Sequence, residues 1–274
     1  MGSPSATIRS ITPKGARSLL RCIALMGVLG LVCLAAPDPA RAAELLRVDG
    51  TIVKWPPPPT GTTTVITYAV LSRPYLVVRS KKTLSPDNCG AMHPFSDVVA
   101  RSQNVDEDSI SRELRSALDA WENVADIQFV QVSEPDTAHI VVGATATSAG
   151  PAFANLSLRG RRGLQLSADK ALGGASAGPS ARPIDSFDIK SVAFIEQAFV
   201  CLNPKVRWKV GFDGNLKVYD LRHTFMHEIG HAIGLDHPRR SGSVMGFRYD
   251  EAVWELQPSD IVAARRLYGP PVRD

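Results

Sequence analysis

The chain has 274 residues, with 31 Lys and Arg against 27 Asp and Glu, a formal net charge of +4. That excess sits in residues 1–42, which hold five basic residues and one acid, so the remainder balances at 26 of each sign. About 232 uncharged-on-balance residues give no case for a nucleic-acid partner and suffice for one domain with a real core.

Residues 1–42 read as a secretory signal peptide. Arg9, Lys14, Arg17 and Arg21 precede the apolar run CIALMGVLGLVCLAA at 22–36, and Ala40-Arg41-Ala42 supplies small residues at peptidase spacing. The run falls short of the ~20 residues needed to span a bilayer, so cleavage is expected rather than stable membrane insertion. Leu31-Val32 before Cys33 makes a poor lipoprotein site, and no twin arginine precedes the run. The expected destination is the extracellular space, or the periplasm of a Gram-negative cell. Cys89 and Cys201 then remain in an oxidising compartment, where a disulfide between them is the plain expectation.

Residues 43–110 are expected to form an N-terminal extension and the first strands, and residues 111–270 the core of the domain. TIVKW (51–55) and TTTVITYAVL (62–71) are β-branched and aromatic, hence strand-like, and are parted by Pro56 to Pro59. The polar stretch 79–104 reads as mostly loop. Ile110, Leu114, Leu118 and Trp121 then share one face of a helix whose acidic start holds Asp106 and Asp108. IQFVQV (127–132) and AHIVVGA (138–144) are short and strand-like. Residues 143–186, rich in Gly, Ala and Ser, read as a long loop with one strand in GPAFANLSL (150–158) and the basic knot RGRRG at 159–163. SVAFIEQAFVCLN (191–203) reads as another strand. The last helix, over 258–268, has Pro258 in its first turn, Asp260 to complement the dipole, and Gly269-Pro270-Pro271 as its stop. The order of elements predicts an α+β, or mixed α/β, architecture.

Between the last strand and the last helix lies HEIGHAIGLDH at 227–237, holding three of the six histidines. His227 and His231 are four apart, so a helix N-capped by Asp220 projects both imidazoles from one face. His237 cannot reach the same point while the helix continues. Gly234 is placed where a left-handed residue would turn the chain back. Three neutral imidazoles leave a tetrahedral zinc with one open position, as in catalytic sites. Glu228, about 100° round the helix from His227, is the candidate general base for a water activated at the metal. The five fixed positions would arise by chance in roughly one such chain in 10⁴ to 10⁵.

HEIGHAIGLDH matches the H-E-x-x-H-x-x-G-x-x-H signature of the metzincin metalloproteases, and SVMGF (243–247) resembles their Met-turn. TIVKW, VITYAV, RELRSALDAWENVADIQFVQV, AHIVVGA and LQPSDIVAARRLYG are similar to the matrixin catalytic domain. The resemblance implies a twisted, mostly parallel five-stranded sheet with long helices and a small C-terminal subdomain after Gly234. It also implies zinc held by His227, His231 and His237, with Glu228 as base and Met245 as the apolar floor beneath the ion. The implied partner is a protein or peptide aligned along an edge strand within 150–158, the implied pocket wall lies around Phe247 to Trp254, and a monomer is expected. The alternative is a secreted zinc-containing peptide-binding protein with a vestigial site.

Several positions depart from the family pattern. Pro238 follows the third histidine, as in serralysins. Phe247 stands where serralysins and astacins have a tyrosine, with Tyr249 a weak substitute. Residues 140–222 hold no histidine, so a second structural zinc is not expected, and calcium is left open without support. His223 is expected in a packing or polar role, and His93 and His139 as incidental. PDNCG around Cys89 lies after the first strand and lacks the arginine of a matrixin cysteine switch, which again favours the disulfide.

Overall fold

The computed structural model describes residues 44–272 apart from 60, 61, 78–87, 103, 149, 160, 165–191, 240 and 241, with only the backbone described at 161–164. The segment expected to be a signal peptide and most of the stretch 143–186 expected to be a loop lie outside the described residues. Chain order begins with three short strands, β1 (Glu44–Leu45), β2 (Arg47–Val48) and β3 (Thr51–Lys54). β2 and β3 form a hairpin closed by Asp49-Gly50, both at positive φ (49° and 78°), as a two-residue turn between right-twisted strands requires. β4 (Thr64–Val70) follows, then β5 (Tyr75–Leu76), β6 (Ala91–Met92) and the helix α1 (Ser96–Arg101). The stretch read as loop at 79–104 therefore contains a short strand and a helix. Their apolar content, Met92, Phe95 and Val98, is too sparse to show a period, yet all three are buried.

α2 (Glu107–Glu122) is capped by Asp106, whose side chain accepts from the Ser109 amide. After it come β7 (Ile127–Gln131), β8 (Ile140–Ala144), β9 (Ala152–Leu158), β10 (Arg161–Leu164), β11 (Val192–Leu202), β12 (Trp208–Lys209) and β13 (Tyr219–Asp220). The motif helix α3 (Leu221–Ala232), β14 (Leu235–Asp236) and α4 (Pro258–Tyr268) close the chain.

The main sheet runs β10-β9-β11-β8-β4-β7. β7, β4, β8 and β11 are mutually parallel and β9 is antiparallel to β11, which makes the mostly parallel five-stranded centre. Three short strands are added to it: β10 outside β9, β3 alongside the start of β11, and β2 beyond β3. One face of the sheet packs on the helices. Leu114, Leu118 and Trp121 of α2 share this core with Phe225, Met226 and Ile229 of α3. The two helices are also fastened by polar contacts. Trp121 donates its indole N–H to the Met226 carbonyl at 3.0 Å, and Arg222 pairs with the buried Glu113 carboxylate at 2.7 Å. A smaller apolar cluster on the other face contains Val141, Phe153 and Phe199, together with Cys89 and Cys201, which are joined as a disulfide. Among the described residues, no helix is long and apolar enough to cross a membrane.

Candidate metal centre

α3 begins with Asp220 accepting from the His223 amide at 2.8 Å and ends where Gly234 takes φ +98°. Glycine is needed there twice over. The left-handed backbone disfavours a side chain, and a Cβ would lie 2.2 Å from the Val53 carbonyl oxygen. This turn returns the chain, so that His237 faces the two helical histidines. The three Nε2 atoms stand 3.2 Å (His227–His237), 3.2 Å (His227–His231) and 3.3 Å (His231–His237) apart.

Those separations test the fit to an ion. Zinc–nitrogen bonds of about 2.0–2.1 Å at tetrahedral angles put their nitrogens about 3.3–3.4 Å apart. The observed triangle is within about 0.2 Å of that on every side. The opposite ring nitrogens fix the tautomers. His227 Nδ1–H donates to the Val244 carbonyl at 2.7 Å and His231 Nδ1–H to the Leu235 carbonyl at 2.8 Å, so both Nε2 lone pairs face the triangle. The Asp236 carboxylate, 3.8 Å from His237 Nδ1, is too far for a hydrogen bond and instead accepts from the His237 amide at 2.7 Å.

Burial keeps these rings neutral. It lowers His227 to about 4, with the neighbouring His237 adding to the effect, and depresses His231 and His237 in the same direction. Neutral imidazole is the ligating form. Glu228, buried beside them on α3, is pushed up to about 8 by loss of solvation. Among the described residues, this is the one group of His, Cys, Asp and Glu side chains close enough to hold a metal ion.

Beneath the histidines lies the 243–247 turn. Met245 is fully buried, with its sulfur against α3: a Cβ at Gly230 would stand 2.2 Å from Met245 Sδ and 3.1 Å from Trp121 Cζ2. Gly230, the fourth residue of HEIGH, thus lets the methionine reach the helix. The turn hangs from Asp260. This fully buried carboxylate accepts from the amides of Val244 (3.0 Å), Met245 (3.4 Å) and Gln257 (2.9 Å). Asp260 complements the α4 dipole as read from the sequence, but it also ties α4 through Val244 to His227. Neither the tie from Asp260 to Val244 and Met245 nor the room that Gly230 leaves is visible locally, because those partners lie more than ten residues away.

The remaining candidates separate by role. His223 is buried at the start of α3, its ring edge-on to Tyr249 at 5.0 Å and its pKa lowered to about 4, chiefly by burial. The Tyr249 hydroxyl accepts from the Asp220 amide at 3.0 Å and donates to Glu251 at 2.9 Å, which ties a loop to α3. Phe247 and Trp254 are both more than half exposed, and Phe247 packs edge-on to His237 at 5.4 Å. His93 pairs by its backbone with Ala144, while His139 Nδ1 accepts from the Thr67 amide at 3.0 Å and its ring packs on Trp55. Neither joins the triangle.

The family model described as Matrixin matches residues 189–269, which hold α3, the turn at Gly234, Met245 and α4. A probable matrix metalloproteinase, 095L, of Invertebrate iridescent virus 3 is 42% identical over 59 residues, covering 22% of this chain and 15% of that protein. Matrix metalloproteinase-19 of Homo sapiens is 31% identical over 169 residues, covering 59% of this chain and 27% of its own length. The chain thus spans less than a third of either relative.

Proposed function

This chain belongs with the matrixin-like metzincins, and on that premise we propose that it is a zinc-dependent endopeptidase acting after export. The triangle of Nε2 atoms beside the buried Glu228 carries the reading. His227, His231 and His237 would hold zinc, which would supply Lewis acidity towards a peptide carbonyl and the attacking water. The rest falls to the chain's own groups. His227 and His231, locked by the Val244 and Leu235 carbonyls, keep their lone pairs aimed at the ion. His237 completes the set from the far side of the Gly234 turn. Glu228 accepts the proton of the attacking water and hands it to the leaving amine nitrogen. Its raised pKa is the effect of burial in the absence of an ion; beside a divalent cation the carboxylate would be favoured as the base.

An extended substrate adds as a strand to the outer edge of β9. Among the described residues β10 pairs there with Leu156 and Leu158, and residues 152–155 of the same edge are where a peptide's backbone would add. The exposed Phe247 and Trp254 shape the pocket for the residue after the cut. The substrate is a protein or peptide, and the working unit is a single chain.

Glu228→Gln tests the reading. The variant should retain zinc in metal analysis and lose at least ~100-fold in cleavage of a quenched peptide, the usual scale of a general base. Undiminished cleavage would refute the mechanism. A parent protein that holds zinc and binds peptides without cutting them would instead be a binding protein with a vestigial site.

A further inference from the structure

The last carbonyls of a helix have no intrahelical donors and must find them elsewhere. At the end of α3 this requirement falls on the residues that lead to the third histidine. The Ala232 carbonyl accepts from the Trp55 indole N–H at 3.0 Å, and the Gly234 carbonyl accepts from the Leu46 amide at 2.9 Å. Between them, the Ile233 carbonyl accepts from the Tyr268 hydroxyl at 2.6 Å, and that hydroxyl accepts in turn from the Trp55 amide at 3.1 Å. The next two residues are held by strand pairing. β1 lies antiparallel to β14, with Leu45 opposite Leu235 and Glu44 opposite Asp236. Just beyond His237, Arg239 reaches back to the Glu44 carboxylate at 3.0 Å. The Val53 carbonyl fills the space that a Cβ at Gly234 would need.

Residues 44–55 therefore hold 232–236 almost residue by residue, although they lie far outside the 189–269 region that matches the family. We propose that this N-terminal strap is part of the metal centre's positioning machinery, with Trp55 and Leu46 fixing the turn that places His237 on the ion. This rests on the reading of the three histidines as metal ligands. The physical reason is leverage. The helix sets His227 and His231 by its own geometry, whereas His237 is carried on an irregular turn. Each carbonyl of that turn would be free to rotate without its donor from the strap or α4. The described hydrogen bonds from the strap go to the backbone of 232–234 and not to the three imidazoles, so its effect on the ion would pass through that backbone.

Trp55→Phe removes the indole donor while leaving an aromatic ring in the core, and Tyr268→Phe removes the central hydroxyl. Val141→Ala, buried on the opposite face of the sheet, serves as a control for general loss of stability. The metal-free full chain of each would be titrated with zinc against a chromophoric chelator, at a temperature where circular dichroism shows it folded. Cobalt absorption would report the ligand geometry. Trp55→Phe and Tyr268→Phe should each weaken zinc at least ~10-fold, the usual cost of losing an outer partner of a ligand, and shift the cobalt bands. Val141→Ala should bind zinc as the parent does. In the Trp55→Phe background, adding His237→Ala should cost less affinity than it costs the parent. The proposal is overturned if Trp55→Phe and Tyr268→Phe bind zinc within twofold of the parent, or if Val141→Ala weakens it equally. A parent that fails to bind zinc would overturn the metal-site reading itself.

Discussion

Replacing Asp260 with alanine should damage both the fold and the candidate metal site, although its hydrogen bonds reach the backbone of the 243–247 turn rather than the three histidines. Its carboxylate is fully buried and accepts from three amides, at Val244, Met245 and Gln257. Gln257 is part-exposed and can turn to water, so its loss is cheap. Val244 and Met245 are fully buried, and two stranded N–H groups at about 1–3 kcal/mol each would cost roughly 2–6 kcal/mol. Two effects pull that estimate down. The Met245 bond is long at 3.4 Å, and burial already raises the Asp260 pKa, so removing the carboxyl recovers some desolvation. A net loss of about 2–4 kcal/mol follows, or roughly 5–15 °C in Tm for a domain of this size. Zinc affinity should fall about 10–100-fold, because Val244 also supplies the carbonyl that orients His227. Urea unfolding of the metal-free protein gives the first quantity and chelator competition the second. A stability loss below ~1 kcal/mol, with unchanged zinc affinity, would show that the turn does not hang from this carboxylate.

Gly230→Ala should cost about 1–3 kcal/mol by overpacking, since its Cβ would meet Met245 Sδ at 2.2 Å. Met245→Ala in the same chain should recover part of that cost, and strictly additive effects in the double-mutant cycle would refute the steric account. In the metal-free protein, stability should peak near pH ~6.5 and fall on both sides. On the acid side, His223, His227, His231 and His237 all have depressed pKa values, so the folded state resists protons that the unfolded chain accepts. Stability is then lost as pH drops from about 6.5 towards 4. On the other side, Glu228 is raised to about 8, so its contribution is complete below its unfolded value of 4.5 and lost as pH climbs to 8. That decline runs at up to about 1.4 kcal/mol per pH unit. Urea unfolding with chelator at pH 5.5, 6.5 and 8 should trace the peak, and Glu228→Gln should abolish the alkaline decline. A decline that persists in the variant would count against the assignment.

Much of the scaffold is legible because its signals are local. The period of Ile110, Leu114, Leu118 and Trp121 marks α2, and the same residues form its buried face. The β-branched runs at 64–70, 127–131 and 140–144 mark parallel strands; 140–144 is buried on both faces and wholly apolar, whereas 64–70 and 127–131 also carry exposed positions. Other elements carry no such period. α1 is six residues long, and β5 and β6 are two each, so no alternation can develop. Asp49-Gly50 closes a hairpin, yet only TIVKW (51–55) reads as a strand from the sequence, because the two-residue strands before it carry no alternation.

The metal centre divides in the same way. The spacing of His227 and His231, and the glycine that lets His237 return, follow from helix geometry and the freedom of φ, which a sequence states directly. The sequence thus determined which three histidines would have to meet and the need for a break at Gly234. What it could not state is who supports the break. The donors for Ala232, Ile233 and Gly234 come from Trp55, Tyr268 and Leu46, and the Met245 turn hangs from Asp260. Those partners are separated by 15 to 188 residues. Orphan backbone groups accept whichever donor the packing delivers, so that pairing was decided only by the tertiary structure.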